Sequence, residues 1–330
     1  MKKLYTLLLL VASSTIFAQV SEPFAGTGAL NANGWLTHSG TTPGQLMIAS
    51  GSLTYAGINS TGNKVELVAG NTEDVNLASS AALTGVVYYS TIMNVVNTEG
   101  LNLNSATGDY SIGLTATVGS TNVTAFSGRT YLRAGSVENT FNLGLLNNSG
   151  GAATPSYLST DFPINVPVFI VVKYDLSSNT ASLWVNPAIG GSETAANATN
   201  ATGTTAAPAQ IAGIFLRQGG NATAGTGNVQ YDEIRVNSTW ASVTSANLSV
   251  NQNAIAGLKV YPNPVVDGTL NITTQANAER TIQVYDILGK QVVNKVTSNE
   301  AINVSNLKAG VYIVKITEEG KTASRKLVIN

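Results

Sequence analysis

Val168-Phe169-Ile170-Val171-Val172-Lys173-Tyr174 is an apolar run broken only by Lys173. It is too short for a helix to bury one face, and too continuous for a strand with one face in water. It reads as a strand in the middle of a sheet covered on both sides. Asp175 to Asn179 make a turn. Ser182-Leu183-Trp184-Val185-Asn186-Pro187 then begins as a partner strand and is stopped by Pro187, which has no N–H for the ladder. The two runs predict a hairpin near the core of a β domain.

Working outward, similar short β-prone runs recur between clusters of Gly, Asn, Ser and Thr. They are Gly51–Tyr55, Lys64–Val68, Val86–Val96, Tyr110–Val118, Tyr131–Ala134, Phe141–Leu146, Ile211–Arg217 and Val229–Val236. Gly190 to Ala209 has no apolar period and reads as a long exposed loop. Ser245 to Ala256 is small and polar, a linker. Only 11% of the 330 residues are charged, which suits strands and tight turns better than amphipathic helices. The fold class is all-β, without an internal repeat of 20–50 residues.

Composition excludes several chemistries. There is no Cys, hence no disulfide, thiolate metal site or Cys nucleophile. His38 is the single histidine, so a zinc site with two imidazoles is excluded and a Ser-His-Asp triad would depend on it. It lies in Thr37-His38-Ser39-Gly40 and reads as a solvated loop residue. Residues 20–247 hold six basic against twelve acidic side chains, a balance that argues against nucleic acid as partner. At the start, Lys2 and Lys3 precede the apolar stretch Leu4–Val11 and Ile16-Phe17-Ala18. That order predicts a signal peptide over 1–18, a mature chain from Gln19 and no transmembrane span after it.

Four blocks near the end appear in order: Leu258-Lys259-Val260-Tyr261-Pro262-Asn263-Pro264, Val284-Tyr285-Asp286-Ile287-Leu288-Gly289-Lys290, Leu307-Lys308-Ala309-Gly310-Val311-Tyr312-Ile313-Val314-Lys315-Ile316, and Lys326-Leu327-Val328-Ile329. They resemble the type A C-terminal sorting domain of type IX secretion substrates of Bacteroidetes, over 257–330. The prolines predict an extended, non-pairing segment, Gly289 a turn and Gly310 a bend. A seven-stranded Ig-like sandwich is the expected fold. The resemblance implies a signal made of Pro262, Asn263, Pro264, Gly289, Lys290, Gly310, Tyr312 and Lys326. It further implies that the type IX machinery is the partner, that the tail is removed, and that the product is secreted or anchored at the outer-membrane surface.

Residues 19–244 are similar to laminin-G and concanavalin-like jelly rolls. The likeness lies in Gly34-Trp35, Ser50-Gly51-Ser52-Leu53-Thr54-Tyr55, Val171-Val172-Lys173-Tyr174-Asp175, Ser182–Pro187 and Tyr231-Asp232-Glu233-Ile234-Arg235-Val236. It implies a carbohydrate or other surface ligand, and a structural calcium held by Asp232 with Glu22 or nearby carbonyls. Most aromatics are expected in the core. Trp35 and Tyr157 fall in turn-rich stretches and are the candidates for stacking on a sugar ring. The Glu-x-Asp pattern of the family's glycosidases is absent, and the adjacent acids Glu73-Asp74 and Asp232-Glu233 point to opposite faces of a strand. Non-catalytic binding therefore leads. A polysaccharide hydrolase or lyase, or a purely structural surface protein, are the alternatives.

Overall fold

The computed structural model describes residues 20–246, 255, 257–318 and 321–330. The predicted signal peptide and most of the linker lie outside the described residues. The chain divides into two compact units, 1–247 and 248–330.

The first unit is a sandwich of two antiparallel sheets, one of nine strands and one of seven. Val168–Asp175 lies inside the nine-stranded sheet, between Val86–Val95 and Thr180–Val185, as its apolar run demands. Val168, Ile170, Val172 and Tyr174 point into the core between the sheets. Phe169 and Val171 point outward and are covered by Trp184, Trp240 and Leu53. A short helix, Trp240–Thr244, supplies part of that cover and is capped by the Thr239 hydroxyl, which accepts the Ser242 N–H.

The seven-stranded sheet runs in the order Ser156–Pro163, Thr140–Leu146, Ser127–Ala134, Asp109–Thr115, Ile211–Arg217, Asp74–Leu83, Leu36–Ser39. Ile112, Leu132, Leu143 and Ile214 give it an apolar inner face. Alternation sends the intervening side chains to the outer face.

Several expectations change. Gly51–Tyr55 forms no strand; its Leu53 N–H donates to the Asp232 carboxylate instead. The stretch expected to be a long exposed loop contains the strand Ala198–Asn200, whose buried Asn200 takes the Asn147 N–H. His38 is part of the strand Leu36–Ser39 and is half-buried. Trp35 is fully buried and cannot stack on a sugar: its ring packs on Phe24 at 6.2 Å and its indole N–H donates to Glu22 at 3.1 Å.

The second unit holds a three-stranded and a four-stranded sheet around Leu270, Ile272, Ile282, Val284, Val314, Ile316 and Leu327. Lys259–Tyr261 does pair, with Thr269–Thr273, so the non-pairing segment begins only at Pro262. Asn263 explains the proline-flanked motif. Its Nδ2 donates to the Lys326 carbonyl at 2.8 Å and its Oδ1 accepts the Val328 N–H at 2.9 Å, so one side chain stands in for a strand against the last strand of the unit. Gly289 (φ +83°) closes the turn in which Asp286 Oδ1 accepts the Leu288 and Lys290 N–H groups. Gly310 forms no bend; it opens the strand Gly310–Glu318 and pairs with Ile329. The Tyr312 hydroxyl donates to the Lys308 carbonyl at 2.8 Å.

Candidate functional site

In the strand Ser127–Ala134 the pattern Arg129-Thr130-Tyr131-Leu132-Arg133 alternates strictly. Leu132 enters the core, and the Thr130 hydroxyl pairs with Tyr89 there. Arg129, Tyr131 and Arg133 consequently project from the opposite, outer face. Tyr110 and Arg217 on two further strands join them, so three of the six basic residues of this acidic unit share one face.

Arg129 is the decisive side chain. It is only 8% exposed, and its guanidinium lies 5.0 Å from the Tyr110 ring centre and 5.9 Å from that of Tyr131. Its Nε is buried without a partner, and Arg129 makes no side-chain hydrogen bond or ion pair among the described residues. The ring faces stabilise the cation, and its terminal nitrogens, which are not among the buried unpaired atoms, are left to donate to a ligand.

The other two arginines are differently engaged. Arg217 is ion-paired with Asp109 and donates to the Tyr110 carbonyl at 3.2 Å. Arg133 lies 3.7 Å over the Tyr157 ring and donates to the Ala106 carbonyl and Asn142 Oδ1. Tyr157 leans across Gly144, where an added Cβ would sit 2.8 Å from the ring, and its hydroxyl donates to the Thr107 carbonyl. Phe215 lies over Gly113 in the same way. These two glycines let aromatic rings lie flat on the sheet.

Beside Tyr110 a cleft of about 450 Å³ is lined by His38, Asp74, Phe126, Phe215 and Arg217. Asn76 Oδ1 accepts the Gly119 N–H, so its Nδ2 is the atom facing His38 Nδ1 at 3.0 Å. Asn76 Nδ2 also lies 3.0 Å from the Leu36 carbonyl and 2.8 Å from that of Gly119, so its two protons serve three neighbours. Burial holds His38 below the usual imidazole range, partly offset by a hydrogen bond to the Leu36 backbone, and keeps it neutral at pH 7. Burial also pushes Asp74 up to about 6 against the pull of Arg217. The phenols of Tyr131 and Tyr157 are raised, chiefly by burial.

Glu22 and Asp232, the residues implied for calcium, are engaged by hydrogen-bond donors. Glu22 accepts from the Phe24 N–H and the Trp35 indole, and Asp232 from the Leu53 and Glu233 N–H groups. Burial pushes Asp232 up to about 8, so the site holds a proton at neutral pH. No group of three His, Cys, Asp or Glu side chains among the described residues is placed to hold a metal. Each of these carboxylate oxygens accepts one N–H, and a cation here would use their remaining lone pairs together with nearby carbonyls.

Sequence reading missed Arg129, Tyr131, Arg133 and Arg217 as site residues. The signal was there in the Arg-x-Tyr-x-Arg alternation, but only Tyr131–Ala134 reads as a strand on propensity.

The chain is 26% identical over 301 residues to an ulvan lyase of Nonlabens ulvanivorans, covering 88% of this chain and 48% of that protein. It is 30% identical over 97 residues to an endo-acting ulvan lyase of Formosa agariphila, covering 28% of this chain and 19% of that one. The chain thus spans at most about half the length of these relatives. The solved carbohydrate recognition domain of Emp47p matches 66% of this chain and 95% of its own at 14% identity and a TM-score of 0.35, too distant to bear on the site. Among the described residues no helix is long and apolar enough to cross a membrane. Residues 259–330 match the secretion system C-terminal sorting domain, and the chain is a type IX secretion substrate, released or anchored at the cell surface.

Proposed function

We propose that the outer face of the seven-stranded sheet binds an acidic polysaccharide, with Arg129 taking a carboxylate or sulfate of the chain. The observation that carries this reading is the largely buried Arg129, its guanidinium held by the Tyr110 and Tyr131 rings with no anionic partner among the described residues. Arg133, Tyr157 and Asn142 extend the same face across two more strands. The similarity to an ulvan lyase over most of the chain makes ulvan the first polymer to try.

The same similarity favours a second reading, in which the face also cleaves. A lyase removes the proton next to a uronate carboxylate. The freed electron pair forms a C=C bond as the glycosidic C–O bond breaks, and the leaving oxygen takes a proton. An arginine on the carboxylate stabilises the charge that develops. Tyr110, whose ring flanks Arg129, would then be the hydroxyl to accept and return the proton, with Tyr131, raised by burial and so less readily ionised, the poorer candidate.

Calorimetric titration of the whole secreted protein with ulvan and other acidic polysaccharides tests the binding. R129M is expected to weaken it by about 10–100-fold, the worth of a charge-assisted hydrogen bond, without lowering the melting temperature. Binding unchanged in a folded R129M would overturn the proposal. Ultraviolet absorbance of an unsaturated product, lost in Y110F or Y131F, would establish cleavage, and saturable binding without it leaves a non-catalytic module.

A further inference from the structure

Resting on that reading, we infer that the cleft beside Arg129 accepts an uncharged sugar ring, so that the face selects polysaccharides in which charged and uncharged residues alternate. The two positions share a wall. Arg129 and Arg217 approach the same Tyr110 ring, at 5.0 and 4.3 Å, and Tyr110 also lines the cleft. Neighbouring sugars of one chain would therefore occupy both.

Their electrostatics differ in kind. Arg129 is a free cation. In the cleft, Arg217 is already neutralised by Asp109, and Asp74 adds a second carboxyl, leaving the balance on the acidic side. The aromatic surface is the half-buried Phe126 ring, which rests edge to face on the buried Phe215 at 4.8 Å and is suited to the C–H face of a sugar. The cleft's uncharged polar groups include the imidazole of His38, which stacks on Phe126 at 5.9 Å. A carboxylate entering here would meet Asp74 with no free cation among the groups facing it, His38, Arg217 and Asp109. Protonation of Asp74 around pH 6 should relax that exclusion.

The test compares hyaluronan, whose uronates alternate with a neutral amino sugar, with polygalacturonate, in which every residue is charged, by calorimetry at neutral pH. Hyaluronan oligosaccharides are expected to bind about tenfold more tightly than polygalacturonate oligosaccharides of equal length, a difference of about 1.4 kcal/mol. D74N keeps a carbonyl to accept the Gln218 N–H and should narrow that ratio, as should lowering the pH below that of Asp74 titration. Equal affinities, both lost in R129M, would overturn this inference while leaving the anion site intact. A ratio that D74N does not change would overturn it too. No binding of either polymer, or of ulvan, would remove the binding reading itself.

Discussion

Two buried arginines in this chain show how one residue type serves opposite ends. Arg280 is 1% exposed and donates to the Ile272 and Ser298 carbonyls, the Thr274 hydroxyl and Asn277 Oδ1, so its charge is spent inside the second unit. Arg129 is almost as buried and donates to none among the described residues, the contrast on which the proposed binding role rests. Asp232 is a third buried ionisable residue, and its consequence is a pH dependence. Its carboxyl titrates near 8 in the folded state, against 3.8 for the free side chain. The stability it contributes is therefore complete below the lower value and is lost as pH rises through the higher one. Between about pH 7 and about pH 9, above the range in which Asp74 titrates, the urea midpoint of the first unit should fall. In D232N that slope should flatten, whatever the variant's absolute stability. A midpoint independent of pH over this window in the unmodified protein would mean that Asp232 is ionised, and that its two N–H donors outweigh burial.

At the scale of elements, what was legible in the sequence follows from how each strand is buried. Val168–Asp175 announced itself because both faces are covered and both sets of alternate positions had to be apolar. Asp74–Leu83 did not, because Ala and Ser dominate it and its place in the sheet is set by neighbours on either side, with a register shift against Ile211–Arg217. Ser156–Pro163 is an edge strand that ends on a proline and reads as a turn. The candidate face suffered most. Its residues come from strands far apart in sequence, and its two flat rings depend on Gly113 and Gly144, which look like turn formers until their partners are known. Trp35 was misread for the converse reason: a turn-rich neighbourhood says nothing about where the indole points. The motif around Asn263 was legible as a family mark but not as a device. Replacing Asn263 by Ala removes both hydrogen bonds to the last strand, and about 1–2 kcal/mol of stability should go with them. Hydrogen exchange at the Val328 amide should quicken in that variant more than at Val314 in the middle of the sheet. Equal protection in both proteins would show that the backbone bridge between Val265 and Ile329 holds the segment unaided.

For the molecule as a whole, the division at 247/248 separates two cores with different duties. Residues 20–247 carry an excess of six acids, yet concentrate three of their six bases on one face; residues 248–330 carry nine bases against six acids. A polyanion attracted to the basic second unit would mimic binding by the first, and the two contributions can be separated because each unit has its own apolar cluster. A fragment ending at Asn247 should fold alone, showing one melting transition where the full chain shows two. Its affinity for an acidic polysaccharide should match that of the full chain at physiological salt, because attraction between well-separated surface charges is screened there. At low salt the full chain should bind more tightly than the fragment, and the excess should survive R129M. If affinity at physiological salt instead falls when residues 248–330 are removed, the sorting unit would be part of the binding surface, and its role would reach beyond delivery.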